Sequence, residues 1–260
     1  MCYNITTSLK TQLKKAIRDK DEKAINDLLE KLKIHTGKDY HQLSGFEHQK
    51  VFIYTNKEPE SPTHSIWGLI PSWVKSEEQK IKLWNSTLNA RGESIFDKPS
   101  FRESAKHMRC VIEVDGFYEN HHFRSKNYPY LIQRVDGESI TFGGLFSEWV
   151  DKSTGEIVHS FGIVTTIGNE LLSKIHNNPK MDEPRMPLIL NEKEQELWLQ
   201  NESSETFYNE IKSLIKPNIE FELKAHTVHR LNGKDSLGNT PEAMEEFIYP
   251  ELNEEPTLFD

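Results

Sequence analysis

Cysteine is scarce in this sequence, which has 2 cysteines among 260 residues. Two cysteines cannot form the disulfide framework of a small secreted domain, and they favour a reducing compartment. The N-terminal stretch MCYNITTSLKTQLKK lacks the apolar core of a secretion signal. No stretch reaches the roughly 18 consecutive apolar residues that a membrane span requires. We therefore expect a cytoplasmic protein with no membrane partner.

An excess of positive charge is also lacking, because 32 basic residues face 41 acidic ones and the net charge is −9. Seven of these 41 acids fall within residues 241–260, which contain no Lys or Arg, so the rest of the chain has 34 acids against 32 bases. The body is nearly neutral and the C-terminal segment is acidic. Overall charge thus neither predicts nor excludes a nucleic-acid partner, and only a local basic patch can decide.

Many short apolar stretches separated by turn residues are typical of β-strands, with helical periodicity between some of them. Strands are predicted at 51–55, 110–118, 130–135, 140–149, 157–166, 186–190 and 219–225, and helices at 77–84, 168–176 and 192–200. Strands and helices do not alternate regularly, which indicates an α+β fold around a barrel or a strongly bent sheet. We predict one domain at residues 1–235 with a helical insertion at 8–33, followed by an acidic C-terminal tail at 236–260.

Cys2 is the first residue with distinctive chemistry. Initiator methionine is usually removed before a small residue, and the mature chain would then begin with a cysteine carrying a free α-amine. The amine titrates near ~8 and the thiol near ~8.5, so both have a nucleophilic fraction at neutral pH. With an aldehyde such a 1,2-aminothiol forms an imine and then a five-membered thiazolidine. Position alone favours an incidental cysteine, so this interpretation depends on the rest of the sequence.

Other candidate groups occur in three segments. Asn89 and Arg91 belong to a polar turn, NARGE, that follows a predicted helix. Glu119 ends the run DGFYE beside aromatic residues, surroundings that suit a general acid–base carboxylate. His176 ends a predicted helix shortly before Arg185. Taken singly, these residues are also typical of a loop, a solvated carboxylate and a helix cap.

In their order, these segments resemble the SRAP family, named for SOS-response-associated peptidase, whose members shield abasic sites in single-stranded DNA. The resemblance runs from residue 1 to about residue 235. The matching motifs are Met1-Cys2, WGLIPSW (67–73), NARGE (89–93), FR (101–102), RCVIEVDGFYE (109–119), GGLFSEW (143–149), TTIGNELLSKIHN (165–177) and RMPLIL (185–190). It implies a single α+β domain with a barrel-like, strongly bent, mostly antiparallel β core flanked by helices.

The resemblance also implies catalytic roles. Cys2 would be the nucleophile that forms a thiazolidine with the ring-opened sugar of an abasic site. Asn89 would position the Cys2 amine and the sugar. Glu119 would shuttle protons as the sugar ring opens, and His176 would act on the sugar hydroxyl and in reversal of the crosslink. Cofactors and metals are not implied.

For DNA binding, the resemblance implies that Arg91 and Arg185 hold phosphates on either side of the lesion, in a positively charged groove. The planar fork of an arginine suits a phosphate. Aromatic side chains stack on unpaired bases, and among four candidates we favour Trp67 as the base contact. Trp73 and Phe117 are interpreted as core residues.

Two features depart from the family pattern. Many relatives begin Met-Cys-Gly-Arg, whereas Tyr3 and Asn4 follow Cys2 here, so a basic side chain is missing. Relatives often have His-Asp-Arg-Met-Pro as one block, whereas eight residues separate His176 from Arg185 in this chain. We interpret those eight residues as a looped insertion that returns Arg185 to its place.

Two further patterns in the sequence resemble a metal site and a partner-binding motif. The metal candidates His107, Cys110, His121 and His122 lack the paired short spacings of structural zinc, so no metal is predicted. The C-terminal run at 255–259, EPTLF, resembles peptides that dock on the bacterial sliding clamp, with two apolar anchors. A disordered tail is the alternative for this run.

The expected function is therefore covalent capture of abasic sites in single-stranded DNA through Cys2, with lyase-type side reactions and autocatalytic or aminopeptidase removal of Met1. Two other functions remain open. One is a cysteine peptidase or amidohydrolase with Cys2 as nucleophile, His176 as base and Glu119 or Asn89 as orienting group. The other is a module that binds single-stranded DNA without covalent chemistry.

Overall fold

The computed structural model describes residues 2–18, 20, 22–35, 38–217 and 219–254. The strands are β1 (Asn4–Thr7), β2 (Tyr40–Ser44), β3 (Lys50–Thr55), β4 (Pro62–Trp67), β5 (Asn89–Arg91), β6 (Arg109–Val114), β7 (Gly116–Phe123), β8 (Lys126–Arg134), β9 (Ile140–Val150), β10 (Ile157–Ile167), β11 (Arg185–Pro187) and β12 (Leu223–Thr227). The α-helices are α1 (Leu9–Gln12), α2 (Lys14–Ile17), α3 (Glu22–His35), α4 (Glu77–Trp84), α5 (Arg102–His107), α6 (Glu170–Ile175), α7 (Glu192–Trp198) and α8 (Glu205–Leu214). Short 3-10 helices lie at Gly45–Glu47, Asn85–Thr87, Gly92–Ser94, Pro241–Met244 and Pro250–Glu254.

Five strands close into a barrel in the order β10-β4-β3-β6-β9, because β9 pairs back to β10. Only the β10–β4 pairing in this ring is parallel. β10 continues beyond the ring, where β5 pairs with it on one side and β11 on the other. The predicted α+β fold with a barrel-like, mostly antiparallel core is therefore confirmed. β10 brings the segments around Asn89 and Arg185 to one end of the barrel.

A second, antiparallel sheet of five strands has the order β12-β8-β7-β1-β2. In this sheet β1 lies between β7 and β2 and pairs with both, which fixes the chain from the second residue after Cys2. The predicted strand at 110–118 is in fact two strands that belong to different sheets and meet at Asp115. The Asp115 amide donates to the Thr6 carbonyl oxygen at 2.8 Å, so the turn between the two sheets is bonded to β1.

Apolar side chains of both β systems form the main core around Cys2, Trp67, Phe117 and Phe161. A second cluster lies between the barrel and helices α7 and α8, with Trp198 and Phe207 at its centre. The interpretation of Phe117 as a core residue is confirmed, since its side chain is fully buried. The site described below thus begins inside the core rather than on a loop.

Residues 8–33, predicted to be helical, contain α1, α2 and most of α3. Ser8 caps α1 by accepting from the Thr11 amide, and the Ser8 amide donates to an Asp115 carboxylate oxygen at 2.5 Å. Leu9, Leu13 and Ile17 then pack against Phe52 of the barrel. The segment is therefore fastened to the outside of the β core.

The C-terminal segment packs on the second sheet as far as Glu251, whose carboxylate accepts from the Tyr128 hydroxyl of β8. The Phe247 amide donates to the Thr227 carbonyl at 2.8 Å, and the Tyr249 hydroxyl donates to the Val228 carbonyl at 2.8 Å. The clamp-like run at 255–259 lies outside the described residues. None of the helices in the described ranges has the length and apolar character needed to cross a bilayer.

Candidate active site

Cys2 lies two residues before strand β1 of the second sheet and is fully buried. Its thiol donates to the Asn4 carbonyl oxygen at an Sγ–O distance of 3.6 Å. Burial raises the pKa of the Cys2 thiol well above its usual value, and the charge of Glu119 raises it further. The thiol is therefore neutral at neutral pH and needs a proton acceptor before it can attack as a thiolate.

Asn89 lies beside Cys2 because β5 runs parallel to β10, with Asn89 opposite Ile163. The Asn89 Nδ2 donates to the Cys2 carbonyl oxygen at 2.8 Å. Its side-chain oxygen Oδ1 is buried and, among the described residues, accepts no hydrogen bond. The Asn89 side chain thus fixes the backbone of Cys2, and its own Oδ1 stays available beside that residue as a hydrogen-bond acceptor.

Glu119 and His176 form the second pair of the site. Glu119 lies on β7, and His176 is the residue that ends α6; both side chains are buried. His176 Nδ1 is 3.6 Å from Glu119 Oε2 and 2.9 Å from the Arg185 carbonyl oxygen. Because a carbonyl oxygen can only accept, Nδ1 carries a proton, and the neutral ring has its lone pair on Nε2. A carboxylate and an imidazole are thus available for proton transfer.

The eight residues between His176 and Arg185 return the chain to the site, as predicted. Asn177 accepts from the His122 amide at 2.6 Å and donates to the His122 carbonyl at 3.1 Å, so its side chain binds the edge of β7. Arg185 then pairs with Ile167 as β11 joins β10. The backbone carbonyl of Arg185 consequently reaches the His176 ring.

The Arg185 side chain is fully buried, which differs from the expected phosphate contact. Its two terminal nitrogens bind Glu93 at 3.0 and 2.8 Å. Nη1 also donates to Glu183 at 2.9 Å, and Nη2 donates to the Thr165 carbonyl oxygen at 2.8 Å. All four terminal N–H groups are therefore engaged, and the structure does not present Arg185 to a phosphate.

Arg91 differs from Arg185 in its exposure to solvent. It ends β5 opposite Thr165, and its side chain is exposed. Arg91 and Glu93 flank Gly92 in a 3-10 turn, where a β-carbon on Gly92 would meet an Ile215 methyl group at 2.3 Å. Glycine is required there by this close approach. A phosphate contact from Arg91 stays a prediction.

Trp67 is wrong as a base contact, because it is fully buried and has no surface to offer. Its indole Nε1 donates to the Leu88 carbonyl oxygen at 3.0 Å, and its ring stacks 6.2 Å from that of Phe161. Trp73, interpreted as a core residue, is 40% exposed instead. The indole Nε1 of Trp73 donates to the Pro99 carbonyl at 3.0 Å. The burial of the two tryptophans of WGLIPSW is thus the reverse of that expected.

The residues weighed as metal ligands lie in different environments. His107 is exposed at the end of α5, Cys110 is fully buried in β6, and His121 is buried on β7. In the part of the chain that the structure describes, three or more His, Cys, Asp or Glu side chains nowhere form a group that could hold a metal ion.

Sequence reasoning missed three side chains that organise the site: Glu93, Asn177 and Glu183. Glu93 is within the NARGE motif, and Glu183 precedes Arg185 by two residues. The sequence did contain a signal for Glu93, because a negatively charged side chain in that motif is a natural ion-pair partner for an arginine that is predicted to bind phosphate. Burial disfavours ionisation of Glu93, but its hydrogen bonds and charge pairing with Arg185 outweigh burial and lower its pKa.

Comparisons with known proteins place this geometry in a family. The chain is 33% identical over 180 residues to the abasic site processing protein YoqW of Bacillus subtilis, covering 69% of this chain and 74% of that protein. It is 31% identical over 208 residues to the abasic site processing protein HMCES of Pongo abelii, covering 68% of this chain and 54% of HMCES.

A crystal structure of a protein from Bacteroides thetaiotaomicron superimposes with a TM-score of 0.79 and 30% identity, over 95% of this chain and 100% of that one. A Bordetella bronchiseptica protein with 20% identity and a TM-score of 0.68 shares the fold. The family model for SOS response associated peptidases (SRAP) matches residues 1–234. The chain therefore belongs to the SOS response associated peptidase family.

Proposed function

We propose that this protein captures abasic sites in single-stranded DNA covalently, through Cys2, after Met1 has been removed. The observation that carries the proposal is the hydrogen bond from Asn89 to the Cys2 carbonyl at 2.8 Å, which holds residue 2 within range of the Glu119 charge. The names of the relatives YoqW and HMCES as abasic site processing proteins support the same substrate.

The chemistry joins the α-amine and thiol of Cys2 to the aldehyde of a ring-opened abasic sugar. The amine adds to the aldehyde carbon, and loss of one water gives an imine. The Cys2 sulfur then adds to the imine carbon while its proton passes to the nitrogen. One C–N and one C–S bond form, the C=O bond is lost, and the product is a thiazolidine.

Proton transfer in these steps is assigned to Glu119 and His176. The Cys2 thiol needs a base because its pKa is raised, and the Glu119 carboxylate is the charged group that acts on it. His176, with its lone pair on Nε2, serves the sugar hydroxyl and the reversal of the crosslink. Asn89 orients the Cys2 backbone and offers Oδ1 to the amine. Lyase-type cleavage of the DNA would follow from the same imine.

Arg91 is the phosphate contact that we assign to the DNA strand, since it is exposed next to Asn89 on the short strand β5. A guanidinium binds phosphate oxygens through two parallel hydrogen bonds. Arg185 is left out of this role because its side chain is fully buried and its terminal N–H donors are engaged by Glu93, Glu183 and Thr165.

The test is intact mass spectrometry of the protein after incubation with an abasic single-stranded oligonucleotide. We expect loss of the mass of Met1 and a denaturation-resistant adduct that contains the oligonucleotide minus one water. Cys2→Ala should form no adduct. Cys2→Ser should form no stable thiazolidine, although borohydride reduction should still trap an imine through its α-amine.

The two other functions give different products. A cysteine peptidase or amidohydrolase would turn over an amide in trans and leave no DNA adduct. A non-covalent binding module would bind wild type and Cys2→Ala with equal affinity and yield no denaturation-resistant complex. Either result in place of an adduct would overturn the proposal.

A further inference from the structure

We propose that Glu183 sets the affinity of this site for the phosphates that flank the lesion, by occupying the nitrogen of Arg185 that a phosphate would otherwise take. This inference rests on the proposed function. It assigns Glu183 as a specificity-determining residue, in a segment to which the catalytic chemistry gives no role.

The geometry shows which partner of Arg185 a phosphate can replace. Glu93 accepts hydrogen bonds from the guanidinium with both carboxylate oxygens, at 2.8 and 3.0 Å. Glu183 makes a single hydrogen bond, from Nη1 of Arg185 at 2.9 Å, and its side chain is 45% exposed. Displacement of Glu183 would uncover one end of an arginine that is otherwise fully buried. Glu183 is thus the exchangeable partner.

The charge of the cluster explains why exchange is disfavoured. Arg185 faces two glutamates, so the three side chains together carry one negative charge at neutral pH. A phosphate that approaches Nη1 of Arg185 meets the negative charge of Glu183 directly, whereas the charge of Arg91 acts on Glu93, and the phosphate must also break a charge-assisted hydrogen bond. Removing the charge of Glu183 alone makes Arg185 and its two glutamates neutral overall. The hydrogen bonds between Glu93 and Arg185 stay in place.

The cluster is connected to the catalytic residues through the backbone. The Arg185 carbonyl accepts from His176 Nδ1 at 2.9 Å, and Thr165, which binds the Arg185 side chain, pairs with Arg91. A strand that places its abasic sugar at Cys2 and a phosphate at Arg91 therefore passes close to this cluster. Glu183 would therefore weaken the non-covalent binding of that strand, so that stable attachment of the protein depends on its reaction with the lesion.

The experiment compares Glu183→Gln with Asp182→Asn, a matched control. Both variants remove one negative charge, but Asp182 is exposed and is not among the described partners of Arg185. The probe is a single-stranded oligonucleotide with a tetrahydrofuran abasic analogue, which has no aldehyde and reports binding alone. Affinity is measured by fluorescence anisotropy over a range of salt concentrations.

We expect Glu183→Gln to bind about threefold more tightly or better at low salt, as about 0.7 kcal/mol or more of removed repulsion implies. Its salt slope should steepen by about 0.7, the value for one phosphate of a single strand. Asp182→Asn should keep the wild-type slope. Replacing the linkages beside the analogue one at a time with neutral methylphosphonate should cancel the gain of Glu183→Gln at one position.

Equal gains in the two variants would overturn the inference, because the effect would then be general charge. An unchanged slope for Glu183→Gln, with native circular dichroism, would overturn it as well. Crosslinking to natural abasic DNA is followed in parallel by mass spectrometry. Absence of adducts in the wild type would count against the proposed function, whereas normal adducts with no difference between the variants would count against Glu183 alone.

Discussion

At the scale of single residues, hydrogen bonds to neighbouring groups determine which atoms of the site stay available for reaction. The Arg185 carbonyl holds Nδ1 of His176, so the basic lone pair is on Nε2 whatever side chain stands at position 185. The Cys2 carbonyl holds the Asn89 amide nitrogen in the same way. Backbone carbonyls thus fix the orientation of two catalytic candidates, and point mutation cannot remove those carbonyls.

The thiol of Cys2 provides a prediction at this scale. Both burial and the Glu119 charge raise its pKa, so Glu119→Gln should lower the pKa of Cys2 while burial still keeps it above the ordinary value. The thiolate fraction at any pH in the titration range should then be larger in the variant. Thiolate absorbance in the ultraviolet, followed against pH, measures this.

Cys110 also absorbs in that assay, and burial raises its pKa too. Subtracting the titration of Cys2→Ala removes the Cys110 contribution. If the Cys2 titration is the same in wild type and Glu119→Gln, the carboxylate does not act on the thiol. The crosslinking rate should fall in Glu119→Gln in spite of the larger thiolate fraction, because the base is lost.

The residues that sequence reasoning placed wrongly share a physical cause. Trp67 looks like any tryptophan beside a turn, but its ring is covered by Phe161 and its indole binds Leu88, both distant in sequence. Arg185 looks like a free cation, but Glu93 reaches it from 92 residues away. Motif order predicted which residues share the site, whereas burial and pairing depend on contacts between remote segments.

At the scale of elements, local signals predicted some boundaries well. The helix at 77–84 has the predicted limits because Ser76 accepts from the Gln79 amide and caps it. The run 110–118 reads in the sequence as one short β-type segment between turn residues. It divides at Asp115, where the chain leaves the barrel and bonds to Thr6 of β1, an interaction that local periodicity does not reveal.

The segment between His176 and Arg185 provides a prediction for an element. Asn177 makes two hydrogen bonds with the His122 backbone, which fasten the chain right after His176 to β7. Asn177→Ala should lower the free energy of unfolding by about 1–2 kcal/mol. It should also slow crosslinking, because His176 loses its fixed distance from Glu119. Urea denaturation and timed gel assays measure the two effects.

Asn178→Ala is the control for this prediction. The Asn178 side chain accepts from the Lys180 amide at 3.0 Å, a bond within its own turn. We expect the control to leave the crosslinking rate close to wild type. If both variants slow crosslinking equally, the attachment to β7 is not what positions His176.

At the scale of the whole molecule, the proposed DNA binding has to arise from a few local cations. The net charge is −9, and no excess of bases over acids exists outside the C-terminal 20 residues. Long-range attraction is therefore weak, and individual phosphate contacts should dominate the salt dependence. This makes the contribution of a single arginine measurable.

Arg91→Ala should weaken binding to the tetrahydrofuran oligonucleotide and flatten the salt slope by about 0.7, one phosphate of a single strand. Lys152→Ala is the matched control. Lys152 is exposed in the turn between β9 and β10, and eight residues of extended β10 separate the start of that strand from Thr165, the partner of Arg91. A slope that is unchanged in Arg91→Ala would remove this residue from the DNA path.

The pairing of β10 with strands from both halves of the chain has a consequence during synthesis on the ribosome. β4 and β5 precede β10 by far in the sequence, and β11 follows it, so the ring together with its flanking strands β5 and β11 cannot assemble until the chain has been translated beyond residue 187. Asn89 takes its place through the pairing of β5 with β10, and Arg185, whose carbonyl binds His176, takes its place through the pairing of β11 with β10. The emerging N-terminus is therefore an ordinary, unassisted cysteine, and the residues proposed to assist it gather around it only at the end of folding.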